Sequence, residues 1–214
     1  AVLFDMDGTI VDTEPYWIEA EYALVAAHGG AWSDAHAHAL VGNALLASAQ
    51  YLRAHGGVEL EPEVIVERLM DDVLAATRRQ IPWRDGAVEL IRALGRRDIP
   101  CALVTMSYAR LAEAVVQSLH AGAFTTVVTG DEVVRGKPDP EAYLTAARRL
   151  GVDPRHCVAI EDSPTGIAAA AAAGCVVVAV PHHVPVPPDS NRLTVASLAD
   201  LDVGRLESLV EASR

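Results

Sequence analysis

The sequence predicts an α/β protein: a parallel sheet with helices on both faces, interrupted after its first strand by a small all-α segment. Three observations carry this expectation. From Gly86 onward, helical stretches alternate with short apolar runs, the pattern of a parallel sheet with right-handed crossovers. Another apolar run, Ala1 to Phe4, stands alone at the start of the chain. Between the two, from Tyr16 to about Gln80, helices and turns follow one another with no convincing strand.

Taken in order, Ala1–Phe4 reads as a buried strand near the middle of the sheet, because Gly8-Thr9 ends it and nothing polar interrupts it. Tyr16 to His28 reads as a helix closed by Gly29-Gly30, and Ser33 as the cap of the next. Leu45 to His55 is helical and stops at Gly56-Gly57. Pro62 opens a long helix to about Arg79, with Val64, Ile65, Leu69, Val73 and Leu74 along one side. The alternation then runs helix Ala87–Arg96, strand Cys101–Val104, helix Ala109–Leu119, strand Thr126–Val128, helix Pro140–Leu150, strand Cys157–Ile160, helix Thr165–Ala173, strand Cys175–Val180. Pro181–Pro188 is a surface loop, and a helix near Leu206–Glu211 completes the core. Residues 1–14 and 83–214 therefore form an α/β core, and residues 15–82 a helical cap reached through hinges near Thr13–Pro15 and Pro82–Gly86.

A chain of 214 residues can bury a sizeable core. Its net charge of −12 argues against a nucleic-acid partner, which needs a basic face, but leaves room for a small anionic substrate. Cys101, Cys157 and Cys175 fall in apolar runs, match no thiolate metal spacing and are odd in number. They read as buried reduced thiols of a cytoplasmic protein. No apolar run is long enough to cross a bilayer, and no basic-then-apolar leader is visible. Ala1 suggests that the initiator Met, and a few residues more, precede this sequence. Oligomeric state is not legible.

Chemistry gathers where the expected strands end, because ligands of open α/β sheets bind at the carboxyl ends of the strands. Asp5 and Asp7 follow the first strand; Thr105, Met106 and Ser107 follow the second. Lys137, in Gly136-Lys137-Pro138, lies beyond the third, and Glu161, Asp162 and Ser163 follow the fourth. Each has an ordinary reading: an acidic turn, a helix cap at Thr105 or Ser107, a solvated lysine, an acidic helix N-terminus. Those readings do not explain the joint order of Asp-x-Asp, Thr, Lys and Glu-Asp, each past a different strand.

The inventory suits phosphoryl transfer, where positioning and charge neutralisation do most of the work. Paired acids at a strand end repel unless a cation joins them, and carboxylate oxygens suit magnesium. Lys137 can mask the other side of a phosphate, and the Thr105 hydroxyl and the Met106 backbone amide can bond its non-bridging oxygens.

With these four segments the chain resembles the haloacid dehalogenase superfamily of aspartate-nucleophile phosphohydrolases. The likeness covers essentially the whole chain, and Gly136-Lys137-Pro138-Asp139-Pro140 and Glu161-Asp162-Ser163-Pro164-Thr165-Gly166 are similar to its phosphatase and β-phosphoglucomutase branch. The resemblance implies a Rossmann-like core with an α-helical cap, and residue roles follow from it. Asp5 would be the nucleophile that forms an aspartyl-phosphate, and Asp7 the acid/base. Thr105, Met106 and Lys137 would bind phosphate. Asp5, Asp162 and the Asp7 backbone carbonyl would hold Mg2+, with Glu161 as a further ligand or an orienting acid. Asp7 argues for phosphoryl transfer over dehalogenation, since a halide leaving group needs neither proton nor magnesium. The second segment departs from the family in one respect: Met106 stands where Asn is common.

The related mutases hold a second phosphate with a cap arginine. The comparable stretch here, Val41-Gly42-Asn43-Ala44-Leu45-Leu46, has none, and the next is Arg53. The expectation is therefore a magnesium-dependent phosphatase of a small metabolite, such as a sugar phosphate or phosphoglycolate, with a mutase as the alternative. A non-catalytic module on the same fold is disfavoured because both Asp5 and Asp7 are present. A receiver domain is disfavoured because it lacks the helical insertion. His36 and His38 read as surface residues, and Tyr16, Trp17 and Trp32 as packing.

Overall fold

The computed structural model describes residues 1–41, 43–190 and 192–212, so Gly42 of the mutase-diagnostic stretch lies outside the described residues. The chain forms two compact units, Ala1–Asp12 with Trp83–Arg214, and Thr13–Pro82.

The first unit is built on a six-stranded sheet in the order β3-β2-β1-β4-β5-β6, every pairing parallel. Its strands are β1 (Val2–Phe4), β2 (Cys101–Val104), β3 (Thr126–Val128), β4 (Val158–Glu161), β5 (Val176–Ala179) and β6 (Leu193–Thr194). β1, β2 and β4 are buried throughout, as strands covered on both faces must be.

Among its described residues the second unit holds four helices: α1 (Glu14–Ala27), α2 (Asp34–His38), α3 (Leu45–Gly56) and α4 (Pro62–Arg79). α4 packs on α1 and α3 and buries Ile65, Val66, Leu69, Met70, Val73 and Leu74, a stripe at helical spacing. Ser33 caps α2 by accepting the His36 N–H, and Gly57 ends α3 in the left-handed region.

Around the sheet lie α5 (Ala87–Gly95), α6 (Ala109–Val116), α7 (Glu141–Leu150), α8 (Pro164–Ala172) and α9 (Val203–Ala212). α7 and α8 pack on each other and on β2 to β5, while α5 and α9 pair over β2 and β4. One core cluster joins Leu3, Ala102, Val104, Val128 and Ala159 to Ala142, Tyr143 and Ala146 of α7 and Ala169 and Ala170 of α8. The alanines let these helices approach the sheet closely, so Tyr143, fully buried, is a large side chain among small ones.

Two differences from the sequence reading matter. β4 begins at Val158, because a capped single turn, Pro154–His156, uses Cys157 as its end. The strand also runs through Glu161, which is wholly buried. β6 was not expected; two residues are too few to show a period, and pairing with Val178 and Ala179 alone defines it. The three cysteines are buried and unpaired. Among the described residues, no helix is long and apolar enough to cross a membrane.

Candidate active site

Register brings the first three elements of the site to one level. Phe4 is opposite both Leu103 and Ile160, so the next residues, Asp5, Val104 and Glu161, stand side by side where β1, β2 and β4 end. The chain turns one way from β1 to β2 and β3 and the other way to β4 and beyond, which makes this edge the switch point of the sheet. Asp5 N–H still bonds to the Ile160 carbonyl at 3.0 Å, so this residue, 7 % exposed, is held by the sheet itself.

After Asp5 the chain coils tightly. The Met6 carbonyl accepts from the N–H groups of Thr9, Ile10 and Val11, and Gly8 takes φ +83°. A Cβ at Gly8 would sit 2.1 Å from Asp162 Oδ2, so only glycine lets the turn after β1 approach the acid after β4. Arg84 Nη1 donates to the Gly8 carbonyl at 3.0 Å and ties the turn down.

Lys137 is not the solvated lysine its neighbours suggest. Its side chain is 6 % exposed, and Nζ donates to Asp5 Oδ1 and Glu161 Oε1, both at 2.6 Å, and to the Val104 carbonyl at 2.9 Å. Burial would lower its pKa, but the charges of Asp5 and Glu161 overcome this and raise it, so the ammonium stays protonated. Glu161 is wholly buried; its Oε1 also accepts the Tyr143 hydroxyl at 2.6 Å, and its Oε2 lies 3.3 Å from Ser163 Oγ. Burial pushes its carboxyl up, and Lys137 opposes that. A Cβ at Gly166 would meet Glu161 Oε1 at 1.9 Å, so α8 can begin this close to the acid only with glycine there.

Asp7 is half-buried and held from the β2 side. Its Oδ2 accepts from Ser107 Oγ at 2.7 Å and Thr105 Oγ1 at 3.2 Å, while Thr105 Oγ1 accepts the Ser107 N–H. Neither hydroxyl caps α6, whose N-cap residue is Tyr108 and which has no side-chain capping bond. Met106 has a further contact: its Sδ lies 3.2 Å from the Lys137 N–H, beside the cis Lys137–Pro138 bond, and packs against Gly136.

Asp5, Glu161 and Asp162 each offer a carboxylate oxygen within 4.8 Å of the others. Their charge exceeds that of the single Lys137. Burial, with the neighbouring Asp5 and Glu161 charges, pushes the Asp162 carboxyl up to about 9. Asp5 Oδ2 is buried with no hydrogen-bond partner, an uncommon state for a carboxylate oxygen. A divalent cation with oxygen ligands fits this place: it meets the orphaned oxygen and relieves the repulsion that otherwise favours a proton on Asp162.

The sequence-derived residues thus separate into two linked groups. Asp5, Lys137, Glu161 and Asp162 form the charged cluster; Asp7 and Thr105 bond to each other beside it. Met106 reaches Lys137 through sulfur. Tyr143 was missed by sequence reasoning, since a lone tyrosine inside an amphipathic helix looks like core. Arg84 was missed as well, because its bond to the Gly8 carbonyl spans 76 positions and leaves no local signal.

Comparison with known proteins identifies the family and the fold. A family model for haloacid dehalogenase-like hydrolases matches residues 1–174. Hexitol phosphatase A of Escherichia coli is 34% identical over 197 residues, covering 92% of this chain and 88% of that protein. Validoxylamine A 7'-phosphate phosphatase of Streptomyces hygroscopicus is 36% identical over 187 residues, with coverage of 84% and 85%. Among solved structures, CbbY of Rhodobacter sphaeroides in complex with phosphate superposes with a TM-score of 0.87 at 26% identity, covering 96% of this chain and 98% of that one.

Proposed function

The chain belongs to the haloacid dehalogenase-like hydrolases, and from that premise we propose a magnesium-dependent phosphatase of small phosphorylated sugars or polyols, working through an aspartyl-phosphate. One observation carries the reading. Asp5 has one oxygen fixed by Lys137 and the other buried without a partner among carboxylates, while Asp7 hangs on two hydroxyls nearby. The first acid faces the cations as a nucleophile must; the second, held by two hydroxyls on the β2 side, is the proposed proton carrier.

In this reading Asp5 and Asp162, with the Asp7 backbone carbonyl, would hold Mg2+, and Glu161 chiefly positions Lys137. When bound, the ion masks phosphate charge and orients the ester. The Asp5 carboxylate attacks phosphorus; the bond to the ester oxygen breaks as Asp7 hands its proton to the departing alkoxide. Asp7, now a carboxylate, takes a proton from water as that water attacks phosphorus, and the bond to Asp5 breaks. Inorganic phosphate leaves, with Asp5 ionised and Asp7 protonated again. Lys137 and the Thr105 hydroxyl steady the phosphoryl oxygens throughout. The helical unit is proposed as the cap that selects the organic part of the substrate, and the absence of an arginine between Val41 and Leu46 favours hydrolysis over mutase chemistry.

The test is a steady-state screen of phosphate monoesters, with hexitol phosphates and β-glucose 1-phosphate included. We expect release of inorganic phosphate that EDTA abolishes and Mg2+ restores. Isomerised sugar phosphate without free phosphate would overturn the assignment.

A further inference from the structure

A second donor cluster lies in the α/β unit, made of residues the phosphatase reading does not use. Asp12 ends the coil after β1, and His182 and His183 follow β5 just beyond the last sheet bonds. His182 Nε2 lies 3.0 Å from Asp12 Oδ2, and His183 Nε2 lies 2.7 Å from Asp12 Oδ1. Consecutive side chains of extended backbone point opposite ways. Here the chain bends at His183, and both rings turn the same way, their centroids 4.0 Å apart and tilted by 54°. All three donor atoms fall within 4.8 Å of one another.

The donors differ in kind from those around Asp5. Two imidazole nitrogens and one carboxylate suit zinc, cobalt or nickel, whereas magnesium prefers oxygen alone. The spacing is also close to what such an ion needs. Metal–donor bonds near 2.0–2.2 Å at tetrahedral angles put donors roughly 3.4 Å apart. The present contacts would open by less than about 1 Å on binding, a side-chain adjustment rather than a backbone one. The three side chains are 27–28% exposed, so an ion can enter and water can complete its coordination. Metal at both Nε2 atoms places the remaining imidazole protons on Nδ1.

We propose that Asp12, His182 and His183 form a second metal site, separate from the carboxylate cluster, for a late first-row divalent ion such as zinc, cobalt or nickel. The alternative is a metal-free hydrogen-bonded trio, and titration distinguishes the two. Full-length protein without a histidine tag, saturated with Mg2+, is titrated with Zn2+ by calorimetry and with Co2+ by visible absorption. We expect one equivalent of Zn2+ per chain, and ligand-field bands for Co2+. Loss of an outer partner of a metal ligand weakens affinity about 10–100-fold, so loss of a ligand in His183→Gln should cost at least about tenfold. The His182→Gln, His183→Gln double variant should lose the equivalent altogether, with its thermal midpoint confirming a folded chain. Asp162→Asn should leave the titration unchanged. No stoichiometric binding to the native chain, binding that survives the double variant, or binding lost in Asp162→Asn would each overturn the proposal.

Discussion

Both units of this protein bury carboxylates, and they neutralise them in opposite ways. In the helical unit Glu21 is 4% exposed and accepts the Trp32 Nε1–H at 3.2 Å. Burial pushes its carboxyl up to about 7, and the Trp32 bond opposes this. The proton is the counter-charge, as is usual for an isolated buried acid. At the edge of the sheet, Asp5, Glu161 and Asp162 lie within reach of one another, and Lys137 is bonded to two of them. There the protein supplies a fixed positive charge and a buried oxygen without a partner. The contrast teaches that a buried acid alone says little about function. Acids concentrated beyond what their own chain neutralises point to an ion from outside.

Four substitutions break or sharpen this comparison, in falling order of effect. Asp5→Asn removes the nucleophile, so phosphatase turnover should fall by at least about 10^4-fold, as for other covalent nucleophiles. Its melting temperature should not fall, since one of the repelling charges is gone; a collapse of the fold would show Asp5 to be structural. Gly8→Ala keeps every functional side chain but places a methyl group against Asp162 at a positive φ. We expect about a hundredfold loss of activity with a raised Mg2+ requirement, together with about 1–2 kcal/mol of strain in a denaturant titration. Near-native Mg2+ dependence would separate Asp162 from the metal.

Tyr143→Phe tests whether Glu161 works by holding Lys137. Losing a hydrogen bond to a buried charge should lower stability by about 1.5–3 kcal/mol. It should lower kcat by about tenfold with little change in KM, which a purely structural hydroxyl would not do.

Glu21→Gln should do least to activity and most to the pH profile of stability. An acid whose pKa rises from 4.5 unfolded to about 7 folded stabilises the fold fully below 4.5 and loses that contribution as pH rises through 7. The native protein should therefore melt lower at pH 8 than at pH 5. The variant, neutral throughout, should flatten that slope and melt about 2–4 °C higher at pH 8 for each kcal/mol regained. An unchanged slope would mean that Glu21 is ionised in the fold.

The sequence made the sheet legible because a parallel strand buried on both faces must be a continuous apolar run, and Cys101–Val104 is bounded as read; so is the half-buried edge strand Thr126–Val128. Strand ends showed the acids for the same reason: charge cannot lie inside such a run. What stayed hidden depends on contacts between distant segments. Tyr143 becomes a site neighbour only because α7 packs over β2 and β3, and Glu161 becomes wholly buried only because β4 runs one residue further than its apolar letters. Ser107 looks like a helix cap until Asp7, a hundred positions earlier, accepts its hydroxyl. The pairing of Asp12 with His182 and His183 spans 170 and 171 positions and has no local signature.

The account stands on Asp5 becoming bonded to phosphorus, and the stereochemical course of hydrolysis tests that most directly. A monoester made chiral at phosphorus with oxygen isotopes, hydrolysed in labelled water, should yield inorganic phosphate with net retention, the product of two in-line displacements. Net inversion would mean that water attacks the substrate in a single step, and Asp5 would lose its role as nucleophile.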